Sequence, residues 1–175
     1  MKIIKTPPQG VNMLAPSEEL KGALYQLYIA VFKSSISENH KQKILTSILA
    51  YEPWSWRVVG ISKNALKAFA DYNFRYRTRA FQRDHHFQNR IITFRKMLKN
   101  RMLYEEWWAW FWENDRTLLV TNTEHSQQNY TFKEDIIPID WKKGFFQCQK
   151  TAGFACTVNR EGRFLEKLAK EYQIE

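Results

Sequence analysis

Apolar and polar positions divide the chain into short periodic stretches. Leu20, Leu24, Leu27, Tyr28 and Val31 recur at helical spacing behind Pro16-Ser17-Glu18-Glu19. That pattern predicts a helix with one apolar face, capped by Ser17 and with acids in its first turn. Ser37-Glu38 opens a second helix whose apolar face is Ile44, Leu45, Ile48 and Tyr51, and Pro53 ends it. The two helices form an antiparallel hairpin. Residues 1–15 contain Pro7, Pro8 and Gly10 and read as an extended arm. Trp54 to Val59 is an aromatic and β-branched run, hence a strand ending at Gly60, and Ser62 caps a short helix carrying Leu66 and Phe69.

Phe74, Tyr76, Thr78 and Ala80 then alternate with Arg75, Arg77 and Arg79, with Arg83 one step off. Side chains in a strand point to alternate faces. A strand here turns aromatic residues inward and a row of guanidiniums outward. Phe87, Ile91, Phe94, Leu98 and Met102 fall three or four residues apart, an amphipathic helix with Arg90, Arg95, Lys96 and Lys99 on its polar side. Glu105-Glu106 begins a further helix that holds Trp107, Trp108, Trp110 and Trp112, too many indoles for one buried stripe, so they suit the core or a subunit interface. Thr117 to Thr121 is a strand, and Asn122 to Lys133 a polar loop with a short helix. Phe145–Cys148 and Phe154–Val158 pair as a hairpin, and Asn159 caps a last helix with Phe164, Leu165, Leu168 and Tyr172 inward. The expectation is an α+β fold: one compact domain over 1–175, with an N-terminal helical hairpin and a small mixed or antiparallel sheet.

Composition narrows the function classes. The 44% hydrophobic content and low Gly and Pro counts exclude a disordered or collagen-like chain. No apolar run approaches the roughly 20 residues of a membrane span, the first residues lack the apolar core of a signal peptide, and a cytoplasmic protein is expected. Only Cys148 and Cys156 are present, too few for a cysteine-rich zinc site or a disulfide scaffold. The formal net charge is +9. The stretch from Lys63 to Arg101 holds eleven basic residues and only two acids, Asp71 and Asp84, so it carries the entire excess. Charge concentrated in this way favours a polyanion, and guanidinium forks match phosphate oxygens. Nucleic acid is therefore the expected partner, bound by Arg75, Arg77, Arg79, Arg83, Arg90, Arg95, Lys96 and Lys99.

Candidate chemistry lies inside that stretch and just beyond it. Asp84-His85-His86 follows the Arg-rich strand, Asn114-Asp115 precedes the Thr117–Thr121 strand, and Glu124-His125 follows it. Cleaving a phosphodiester needs a base for water and positive charge to meet what develops on phosphorus. One histidine can be the base. A second, with a carboxylate, can hold a divalent cation, and hard O and N donors suit Mg²⁺ or Mn²⁺. Without a metal, His85 or His86 and His125 could act as acid and base while Arg83 or Arg90 clamps the phosphate.

At these residues the sequence resembles the HNH, or ββα-metal, nucleases, over about residues 74–130. The resemblance implies that Asp84, with His85 or His86, supplies a metal ligand and the general base. It also implies that Asn114 orients the base or braces the loop and that His125 is the second ligand. Which of His85 and His86 is the base stays open. Two helices replace the family's short turn between the strands, and its cysteine pairs are missing. The expected function is a DNA endonuclease of restriction or phage and mobile-element type, with a homodimer as its assembly and the Trp-rich segment as its interface. The alternatives are a non-catalytic nucleic-acid-binding protein and a metal-independent ribonuclease.

Overall fold

The computed structural model describes residues 15–50, 52–77, 79–85, 89–126, 135–149 and 153–174. The expected arm over 1–15 therefore lies outside the described residues except for Ala15, and so do His86 and Phe87.

Local signals in the sequence start most of the helices. Ser17 caps α1 (Glu18–Lys33) by accepting from Leu20 N–H, and Ser37 caps α2 (Glu38–Leu49). β1 (Val58–Ser62) runs directly into α3 (Lys63–Asp71), whose cap is Ser62. β2 (Phe81–His85) is followed by α4 (Arg90–Lys99), capped by Asn89, and then by α5 (Tyr104–Asn114). β3 (Thr117–Thr121) leads into α6 (Asn122–Ser126), and β4 (Ile136–Pro138) is a short strand that the sequence pattern did not announce. A π-type turn (Val158–Gly162) feeds α7 (Arg163–Glu171). The α+β class and the N-terminal hairpin are as expected.

The sheet order is β2-β3-β1-β4, with β3 antiparallel to β2 and parallel to β1, and β4 antiparallel to β1. The sheet is thus mixed and β2 is an edge strand. Gly60 is required where β1 passes its neighbours, because a Cβ there would lie 2.5 Å from Ile136 Cγ2. One core lies between the sheet and α3 with α7, built on Ile61, Leu66, Phe69, Phe81, Leu119 and Leu165. A second fills the space among α1, α2, α4 and α5 around Tyr28, Leu45, Met97, Trp107 and Phe111. Trp108, Trp110 and Trp112 pack against that second core, so the Trp-rich segment is used within the chain. The Tyr28 hydroxyl donates to Met97 O and accepts from Met102 N–H, joining α1 to the end of α4. Among the described residues, no helix is long and apolar enough to cross a membrane.

Several expectations need correction. The first strand is Val58–Ser62; Trp54 to Trp56 instead form a turn in which Ser55 bonds twice to Glu52 O and Trp56 has φ 57°. Among the described residues of 74–80, no strand forms. Asn73, Phe74 and Arg79 have positive φ, which breaks the pleat, and turns close from Arg75 N–H to Tyr72 O and from Ala80 N–H to Arg77 O. The alternation survives without the ladder: Phe74 and Tyr76 pack on the sheet core while Arg75, Arg77 and Arg79 are exposed. In α4 the inward face is Thr93, Phe94 and Met97, leaving Ile91 45% exposed, because the helix starts only at Arg90. The expected hairpin shrinks to one bridge, Cys148 to Phe154. Asn159 makes no helix cap; Glu161 instead accepts from Thr157 N–H and its hydroxyl.

Candidate functional site

Of the sequence-derived candidates, Asp84, His85, His125, Arg79, Arg83 and Arg90 come together at the edge of β2. Phe81, Gln82, Arg83 and His85 of β2 line a cleft of about 810 Å³ with Arg79, Arg90 and His125. His85 and His125 are 40 residues apart in the chain. They meet because β3 brings the chain back alongside β2 and α6 then folds against it.

Glu124 sets the position of His125. Its buried carboxylate accepts from Thr121 N–H, the Thr121 and Ser62 hydroxyls, and the Asn64 amide. With Glu124 pinned inward, its neighbour His125 turns out toward β2, and its Nδ1 lies 3.6 Å from Asp84 Oδ1. The same Asp84 oxygen accepts the His85 backbone N–H at 3.0 Å. Among the described residues, no group of three His, Cys, Asp or Glu side chains comes together.

His85 is half-buried, with its ring edge-on to Trp56 at 4.8 Å. Burial lowers its pKa to about 4, with further push from the Arg90 and Arg83 guanidiniums and from His125, so the imidazole is neutral at pH 7. A narrow cavity of about 10 Å³, the size of one water, links His85 to Asn114, Asp115, Trp56 and Arg90. Asn114 is buried at the end of α5, where its amide donates to Trp110 O.

The expected arginine row divides by role. Arg79 and Arg90 line the cleft, whereas Arg75 and Arg77 are exposed outside it, Arg77 lying over the Tyr72 ring. Arg83 corrects its expectation of an outward phosphate contact. It is 8% exposed and braces the cleft floor by donating to Gly153 O at 2.7 Å and Trp56 O at 3.4 Å. Arg95 pairs loosely with Glu38, and Lys96 sits 3.6 Å over the Trp110 ring beside a separate groove between α4 and α5. Lys99 is exposed at the end of α4.

Two supporting residues escaped the sequence reading. Trp56 holds a left-handed conformation that costs an L-residue roughly 1–2 kcal/mol. Asp115, which the sequence marked only as the residue after Asn114, fixes it by accepting the Trp56 N–H at 2.7 Å. Burial pushes the Asp115 carboxyl up to about 8, against the pull of Arg57, whose Nη1 is 3.7 Å away, and of that N–H. The Arg57 guanidinium in turn stacks on Trp112 at 3.4 Å and donates to its carbonyl. A charged residue inside an aromatic run was the available signal. Burial pushes the Cys156 thiol up to about 12, which disfavours the thiolate.

No protein-family model, curated protein or solved structure matches this chain. The site therefore has to be read from its own geometry.

Proposed function

We propose that the β2 cleft is the phosphodiester-cleaving site of a small DNA endonuclease of HNH-like kind. The observation that carries this reading is the meeting of Asp84, His85 and His125 in and beside a cleft lined by Arg79, Arg83 and Arg90. The antiparallel β2–β3 pair followed by α6 also has the strand-strand-helix order that the resemblance implies, with α4 and α5 inserted between the strands.

The chemistry follows from the surroundings. His85 is neutral and so can accept a proton from water. A bound phosphate would offset the neighbouring guanidiniums and raise its basicity toward the working pH. Arg79 and Arg90 would hold the non-bridging oxygens, and Arg83 would add positive charge from beneath. Asp84 and His125 supply a carboxylate and an imidazole close enough to share one cation, and Mg²⁺ can take its other ligands from water and phosphate. These two residues would hold a divalent metal, which when bound supplies charge to stabilise the leaving oxygen. Asn114 would keep the His85 side of the cavity rigid through its bond to α5.

A second reading has its own support: guanidiniums outnumber carboxylates around the cleft, which suits metal-free clamping with His85 and His125 as acid and base. One experiment separates them. Plasmid DNA and total RNA are each incubated with the protein in Mg²⁺, Mn²⁺ or EDTA. The endonuclease reading expects DNA cleavage that EDTA stops and that His85→Ala or His125→Ala abolishes, with His86→Ala tested alongside. RNA cleavage persisting in EDTA supports the second reading. Cleavage unchanged in all three variants overturns both.

A further inference from the structure

The cleft is much larger than a phosphate group, and part of its lining has chemistry that hydrolysis does not use. Its volume of about 810 Å³ lies within the range of pockets that enclose whole small ligands. Tyr76 lines it next to Arg79. This ring is half-buried and packed edge-on against Phe154 at 4.9 Å, and its hydroxyl has no hydrogen-bond partner among the described residues. Two amides also line it, each half committed. Asn89 uses its carbonyl to cap α4 at Ile92 N–H, which leaves its NH₂ for a ligand. Gln82 uses its NH₂ on the Asn122 carbonyl oxygen, which leaves its own carbonyl. An aromatic ring, a donor and an acceptor that are uncommitted among the described residues thus share one cleft with the arginines proposed to hold phosphate.

This combination fits a nucleobase. Every base has a π-face for an aromatic side chain, and its polar edge offers both donors and acceptors. Inside a duplex those faces are stacked and those edges are paired, so neither is available. We infer that the cleft takes an unpaired nucleotide: its base goes against Tyr76, between the Gln82 and Asn89 amides, and its phosphate lies toward Arg79 and Arg90. The inference deepens the proposed function by specifying single-stranded or locally unpaired nucleic acid as the substrate class, and it rests on that reading only for cleavage.

The test is binding, measured by fluorescence anisotropy in EDTA at fixed salt. The probes are a labelled oligonucleotide of about 16 nucleotides, the upper site size of a single-strand-binding module, as DNA and as RNA, its fully paired duplex, and that duplex with one unpaired nucleotide at its centre. The single strand and the interrupted duplex are expected to bind about tenfold more tightly than the paired duplex, the order contributed by one stacked base. Tyr76→Leu and Gln82→Ala should each erase that preference, whereas Arg95→Ala should weaken all probes alike. Gln82 is not part of the core, so its variant keeps the test decisive if Tyr76→Leu fails to fold. Equal affinity for the paired duplex, or a preference that survives Gln82→Ala, overturns the inference. A preference without cleavage of any substrate leaves the inference standing and removes the hydrolysis; plasmid cleavage without the preference does the reverse. Failure to bind any probe overturns both.

Discussion

The helical layer and the open edge of β2 use the same residue types in opposite ways. Where the helices meet the sheet, rings face rings and a buried guanidinium has partners. Trp54 packs edge-on against Trp108 and Phe111, and Arg57 is held between Asp115 and the Trp112 face. Along the segment leading into β2, aromatic and arginine residues again alternate, but Arg75, Arg77 and Arg79 make no ion pair among the described residues. A partnered guanidinium in a low-dielectric interior holds two layers in register. Unmatched charge at the surface does little for the fold and leaves a field for an anionic ligand. Removing one group from each region should therefore damage different properties.

The largest effect is expected at the junction. Asp115→Ala would leave the Arg57 guanidinium without its carboxyl partner and the Trp56 N–H without an acceptor. Breaking a buried pair from one side costs about 3–5 kcal/mol, which chemical denaturation would measure. Asp115→Asn keeps an acceptor for Trp56 and should lose clearly less. If Asp115→Ala costs under about 1 kcal/mol, the junction is not held by this contact.

The sequence revealed one of these regions better than the other. Helix starts were legible because Ser17, Ser37 and Ser62 act locally, each satisfying N–H groups within three residues. The alternation over 74–80 correctly separated inward rings from outward guanidiniums, yet it missed the broken backbone, because positive φ at Asn73, Phe74 and Arg79 leaves no trace in side-chain period. His85, Asn114 and His125 stood out in the sequence because each is a polar residue at or near the end of an element. Asp115, Trp56 and Glu124 were overlooked as supports, since their partners are 59 to 62 residues away for four of their bonds, and sequence spacing does not encode such contacts. Arg83 was misread because its outward or inward sense depends on the Gly153 carbonyl, which is 70 positions distant.

A middle-sized effect is expected where the two regions touch, at His85. Its folded pKa of about 4 lies below the unfolded 6.5, so the unfolded chain binds more protons between those values. Its contribution is present above pH 6.5 and is lost as the pH falls toward 4. Guanidiniums from β2 and α4, Arg83 and Arg90, face it together with His125 and the Trp56 ring. Between pH 7 and pH 4 the protein should lose about 2 kcal/mol more than His85→Gln does, measured by urea denaturation across the range. Parallel pH profiles for the two proteins would mean that His85 titrates as an exposed histidine and that the cleft does not hold it neutral.

The smallest effect on stability, and the sharpest test of the comparison, is at Arg75 and Arg77. Both are exposed, and among the described residues Arg77 has only the Tyr72 ring as a partner. Replacing either with Ala should change stability by no more than about 0.5 kcal/mol, as at most surface positions. If these guanidiniums lie on the path of a nucleic-acid backbone, each loss should flatten the salt dependence of binding, by about 0.7 in log–log slope for a single strand. Arg79→Ala should flatten the slope by a similar amount and also weaken cleavage, because Arg79 alone of the three lines the cleft. An unchanged slope in Arg75→Ala and Arg77→Ala, with a changed one in Arg79→Ala, would confine the ligand's path to the cleft and make the outer two arginines ordinary surface charge. A destabilised Arg75→Ala variant would show instead that this edge belongs to the fold as much as the helical layer does.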